Sequence, residues 1–174
     1  MKKILLLFFA ILPFALHAQI EETKEVQMSK DELFTKTKMF ITDKWNNPKW
    51  SIQNEDKDGG IIQVKTEKEF SINVGMGLKC VYDYEYLTKF RFKDNKYKVE
   101  VYDIRCLSAK QTGLGTEHDI PLIPYFTGEN APDTKSLGKG ISKKKAIAMM
   151  QDLDKEFSEI MNQYNKYINT NDDF

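Results

Sequence analysis

From Leu78 to Phe92 the chain reads LKCVYDYEYLTKFRF, and every second position is apolar or aromatic: Leu78, Cys80, Tyr82, Tyr84, Tyr86, Phe90 and Phe92. Charges fill the gaps at Lys79, Asp83, Glu85, Lys89 and Arg91. A period of two predicts a strand with one dry and one wet face. The same parity holds back to Phe70, too long for one ordinary strand, and Gly75-Met76-Gly77 is the natural bend. KDNK at 93–96 predicts a hairpin turn. The return strand carries Tyr97, Val99 and Val101, then Tyr102, Ile104 and Cys106, a change of phase that implies a bulge.

The rest of the pattern is helical or short. Residues 20–28 predict a first strand with Val26 and Met28 turned inward. Ser29, with Glu32 three residues on, forms a capping box. Leu33, Phe34, Thr37, Phe40, Ile41 and Trp45 then recur at helical spacing until NNP at 46–48 stops the helix. WSIQ at 50–53 reads as strand with Trp50 and Ile52 on one side, NEDKDGG as a turn, and IIQVKT as a return to the sheet. Ser142 caps a last helix whose stripe runs Ala146, Met149, Met150, Leu153, Phe157, Ile160, Met161, Tyr164, Tyr167 and Ile168. A polar tail closes the chain at 169–174.

These elements predict one α+β domain over residues 19–168, a curved antiparallel sheet with two amphipathic helices on one face. The aromatic row belongs beneath the helices, while Asp83, Glu85, Lys89, Arg91, Lys98 and Glu100 meet water. Each buried tyrosine hydroxyl wants a polar partner. A cavity between helix and sheet lined by Tyr82, Tyr84 and Tyr86 is therefore the alternative use of the row, as the pocket of a small-molecule carrier.

Residues 107–141 break the rhythm with Pro121, Pro124, Pro132 and five glycines, and read as a long loop. Within it IPLIPYF at 120–126 is too apolar for an idle linker. Ile120 to Ile123 are expected to fold back on the domain edge. Tyr125 and Phe126 are expected to stay exposed and to anchor a partner.

The amino terminus changes the compartment. Lys2 and Lys3 precede the apolar run ILLLFFAILPF and a small residue, Ala18, so residues 1–18 read as a secretory signal peptide. The run is too short to span a membrane comfortably. Gln19 in place of a cysteine gives no sign of a lipoprotein anchor. About 156 residues then remain, with two more acidic than basic side chains, enough for a real core and without the basic excess that nucleic acid attracts. Cys80 and Cys106 are even in number, which export would favour pairing. Counting from the KDNK turn, however, Phe92 faces Tyr97 and Cys80 falls opposite Ala109, so the register favours two reduced, buried thiols.

Candidate chemistry is sparse. His118 is the single histidine after the leader, and Glu117-His118-Asp119 lacks the frame a metal site needs. No nucleophile elbow accompanies His118. LGKGIS lacks both the earlier glycine of a phosphate loop and the hydroxyl residue after Lys139. The Lys143–Lys145 run after Ser142 reads as a charged first turn. Neither cofactor nor metal is expected, and no enzyme.

SKDELFTKTKMFITDKW, IQNEDKDGGIIQVK, the tyrosine-rich strand and FKDNKYKVEVYDI together resemble a family of exported bacterial proteins: a domain of unknown function with a TBP-like fold (domain of unknown function 4468). The resemblance spans roughly residues 20–118. It implies a curved antiparallel sheet with helices on one face, and it carries no activity and no site residues. The expectation is an exported, periplasmic or secreted, non-enzymatic binding module of the envelope. Its partner would be an envelope protein or a small molecule, with no nucleic acid and no transmembrane span.

Overall fold

The computed structural model describes residues 20–45, 47–127 and 141–170. Residues 1–19, on which the expected signal peptide falls, and residues 46, 128–140 and 171–174 lie outside that set. In chain order the elements are β1 (Ile20–Glu25), α1 (Lys30–Lys44), α2 (Pro48–Ser51), β2 (Ile52–Asp56), β3 (Ile61–Gly75), β4 (Leu78–Lys93), β5 (Lys96–Gly113), β6 (Thr116–Asp119) and α3 (Lys143–Asn169). The strands form one antiparallel sheet in the order β2-β3-β4-β5-β1, and β6 pairs with the far end of β5 on the edge that β1 also uses.

The helices begin where the capping chemistry places them. Ser29 Oγ accepts from the Glu32 amide while the Glu32 carboxylate accepts from the Ser29 amide at 2.7 Å, closing the capping box. Ser142 caps α3 through the Lys145 amide. The segment at Trp50 departs from the strand expected there. Pro48 pre-sets the backbone angle of a first helical residue, so NNP ends one helix and starts another, the short α2. Trp50 consequently points outward and is 76% exposed.

β3, β4 and β5 are 15, 16 and 18 residues long and carry the domain. The hairpin register begins as the turn dictates, with Phe92 opposite Tyr97. Two irregularities follow, between Asp83 and Tyr84 and between Glu85 and Leu87. Asp103, at φ 52°, sits in the second of them, where the phase change was expected. Together they bring Cys106 opposite Tyr84 and Cys80 opposite Gln111. The two cysteines are free; Cys80 is buried and Cys106 half-buried.

The expected loop 107–141 is strand over its first part. β5 continues to Gly113, and Ala109 and Gln111 keep the inward parity opposite Tyr82 and Cys80. Leu107 sits at the other irregularity, half-exposed, and it hides that continuity from a strict period-two reading. At the opposite end of the sheet Gly60 lies at φ +64° against β4: the Phe92 amide donates to its carbonyl at 2.8 Å, and a Cβ would fall 2.7 Å from Phe92 O. Only glycine fits such an approach.

α1 and α3 cover one face of the sheet. Tyr164 of α3 packs its ring against Phe90 at 4.8 Å, Tyr97 at 5.1 Å and Phe40 of α1 at 5.2 Å. Phe157, two turns earlier, meets Tyr86 at 4.9 Å. No helix among the described residues is long and apolar enough to cross a membrane.

Alkylation of the denatured protein without reductant is expected to add two labels, since the register keeps the thiols on different partners. Absence of labelling at both, reversed by reductant, would show a bridge and a different register.

Candidate functional site

The tyrosine row is core. Tyr82, Tyr84 and Tyr86 are fully buried, as are Tyr97 and Tyr164. Three hydroxyls have partners: Tyr84 donates to the Ile123 carbonyl at 2.6 Å, Tyr164 bonds Thr37 Oγ1 at 2.7 Å, and Tyr97 donates to Asn165. The Tyr82 and Tyr86 hydroxyls lack a partner with hydrogen-bond geometry. Burial pushes every one of these phenols up, Tyr97 to about 12. The space a carrier pocket would need is filled by Phe157, Ile123 and Tyr125.

Residues 120–126 form the strap that fills it. The Ile120 amide donates to Ala109 O at 3.0 Å, which leads the chain off the sheet edge, and Ile123 is then fully buried over Tyr84. Leu122 remains half-exposed between them. The exposed anchor expected at Tyr125 and Phe126 is not there. Phe126 is 7% exposed, and Tyr125 is half-buried, its ring 6.2 Å from Phe157 and its hydroxyl donating to Asp154 at 2.6 Å. An apolar run must be covered by something, and here the domain itself covers it.

The other sheet face carries no described helix, yet two of its carboxylates do not meet water as expected. Glu85 and Glu100 are each 8% exposed. Arg105 and Lys65 close over Glu85 at 2.7 and 3.2 Å; Arg91 and Lys98 close over Glu100 at 2.8 and 3.2 Å. The Arg91 contact has the distance of a hydrogen bond without its angle. Beside them Lys89 stands over the Tyr102 ring at 5.8 Å. The long basic stems shield the carboxylates while their heads reach solvent.

His118 lies exposed on β6, between Glu117, which Lys110 holds at 2.7 Å, and Asp119. Among the described residues no group of three or more His, Cys, Asp or Glu is placed to hold a metal ion. Burial is the leading cause that raises both thiols, which opposes thiolate chemistry.

One feature escaped the pattern reading. Gly75-Met76-Gly77 and Gly113-Leu114-Gly115 form two similar hairpin tips side by side. Met76 and Leu114, at φ 54° and 52°, are 89% and 77% exposed. The recurrence of Gly-apolar-Gly was visible in the sequence, but the adjacency depends on β5 reaching Gly113.

A single antiparallel sheet with helices on one face defines the architecture as TBP-like. Residues 21–106 match the model of the family described as "Domain of unknown function (DUF4468) with TBP-like fold". A DUF4468 family protein from Bacteroides ovatus ATCC 8483 superposes with a TM-score of 0.53 at 14% identity, over 89% of this chain and 88% of that one. A TBP-like protein from Parabacteroides distasonis ATCC 8503 gives 0.51 at 16% identity, over 84% and 91%. At such identity these likenesses establish the fold alone. No curated protein matches the chain.

The double change Tyr125→Ser and Phe126→Ser should destabilise the domain. Loss of the buried Phe126 ring alone should cost roughly 3 kcal/mol or more, lowering Tm by about 10 °C in a chain of this size. An unchanged melting curve would return both rings to the surface.

Proposed function

We propose that the chain is an exported, non-enzymatic interaction module of the cell envelope. The observation that carries this reading is the filled interior. Side chains that could have lined an internal ligand site, Tyr82, Tyr84 and Tyr86, are consumed by packing against α3 and the 120–126 strap. The chemistry left at the surface is a pinned pattern of charge on the uncovered sheet face and the apolar tips at one end of the sheet. A surface of that kind suits recognition of a partner. The basic and apolar leader at residues 1–18 supports export, with cleavage after Ala18. A carrier function would need space between the tyrosines and α3, and the rings already there favour the surface reading.

The test is fractionation followed by photo-crosslinking. Cells producing the chain should yield the form lacking the leader outside the cytoplasm. A photoreactive residue at Leu87 or Tyr102 on the uncovered face, or at Met76, should trap an envelope component. One at Glu159 on α3 should trap none. Retention in the cytoplasm with the leader intact, or no adduct from any of these positions, would contradict the proposal.

A further inference from the structure

The three hairpin turns of the central strands do not share one chemistry. At the β4–β5 turn the left-handed position belongs to Asn95, at φ 60°, a residue suited to it. The β3–β4 and β5–β6 turns place Met76 at 54° before Gly77 at 75°, and Leu114 at 52° before Gly115 at 75°. A two-residue turn with both angles positive prefers Asn, Asp or Gly at its first position, and a bulky apolar residue there is an outlier. Such outliers cluster at functional sites. Here the same one occurs twice, and each unfavourable backbone holds a large apolar side chain out in solvent.

The two turns form one tip. Lys79 and Thr112 pair just behind them, and a Cβ on Gly113 would lie 2.5 Å from Gly77 O. Leu114 Cδ2 is 3.9 Å from where a Cβ on Gly77 would stand. The surroundings are basic. Lys79 is exposed, and Lys145 Nζ bonds Asn73 O at 2.8 Å, which ties the first turn of α3, with exposed Lys143 and Lys144, to the same end. Among the described residues, the acids of the adjoining strand β6 are Glu117, paired with Lys110, and Asp119, opposite Lys110 in the register. Among the described residues Lys79, Lys143 and Lys144 have no acidic partner. A projecting pair of apolar side chains flanked by lysines without a described acidic partner complements an anionic bilayer surface: a lipid interface takes up protruding apolar groups and its headgroups attract the lysines.

We propose that this tip is a membrane-surface anchor, in which Met76 and Leu114 enter the acyl boundary while Lys79, Lys143 and Lys144 lie among anionic headgroups. This names the partner within the envelope reading and rests on that reading for which membrane is met.

The experiment uses the chain without its leader and a Met76→Asn, Leu114→Asn double variant. Asparagine accepts the left-handed backbone, so the variant should melt at the same temperature or higher. In flotation assays the parent protein should bind vesicles of phosphatidylglycerol with phosphatidylethanolamine, bind phosphatidylcholine vesicles far less, and release as salt rises. The double variant should bind about tenfold more weakly or worse. Lys143→Gln with Lys144→Gln should weaken binding to anionic vesicles and flatten its salt dependence. No binding by the parent, or equal binding by the folded double variant, would overturn the inference. So would concentration-dependent dimerisation abolished by the double variant, which would make the tip a contact between copies. Crosslinking to an envelope protein without vesicle binding would also overturn it, while leaving the interaction-module reading in place. Vesicle binding by a chain retained in the cytoplasm would do the reverse.

Discussion

Tyrosine hydroxyls carried into a dry core constrain everything else in this domain. Five fully buried phenols pack between the sheet and the helices. Each ring supplies a large apolar area, but each hydroxyl must be matched or must forfeit its bond with water. The fold answers mostly from outside the sheet. The strap offers a backbone carbonyl to Tyr84, α1 offers Thr37 to Tyr164, and Asn165 on α3 takes Tyr97 while donating to Glu22 of the edge strand at 2.8 Å. The strap and α3 are thus tied to the sheet, and α1 to α3, through tyrosine oxygens as well as through apolar contact.

That arrangement explains which parts of the structure were legible in advance. Period-two alternation and helical spacing are local signals, and they located the central strands, α1, α3, the start of the β4–β5 register at Phe92 and Tyr97 and the dry side of the tyrosine row; the two irregularities then moved Cys80 from the expected Ala109 to Gln111. Trp50 misled because a proline after two asparagines both ends and begins helical turns. Continuation of β5 past Cys106 was obscured by the irregularity at Leu107 and by the glycines beyond it. Whether Tyr125 and Phe126 are covered depends on how the strap meets α3, a relation between segments about thirty residues apart that no local pattern encodes. Likewise, Glu85 and Glu100 alternate as surface residues should, and only cross-strand placement of Lys65, Arg105, Arg91 and Lys98 shields them.

The uncovered face is held in a defined charge pattern by ion pairs across strands, and the sheet ends in two apolar tips that the core does not use. Long strands reach from the Asn95 hairpin at one end to the paired turns at the other. Met76 and Leu114 project into solvent from that far end, each on a left-handed backbone.

Alkaline titration of the tyrosines is the most direct test of the central claim. Below about pH 10 both folded and unfolded chains keep their phenols protonated, so the raised values leave stability intact. Above it the unfolded chain releases protons that the folded core retains, and stability falls as pH rises toward the folded values, about 12 for Tyr97. Phenolate absorbance should therefore rise in two stages: a minority of the eight tyrosines first, then the five buried ones together with Tyr125, which burial and Asp154 also push up, in a single step that coincides with loss of circular dichroism. Reversible ionisation of most tyrosines near pH 10, with the circular dichroism unchanged, would show the row open to solvent and contradict the account.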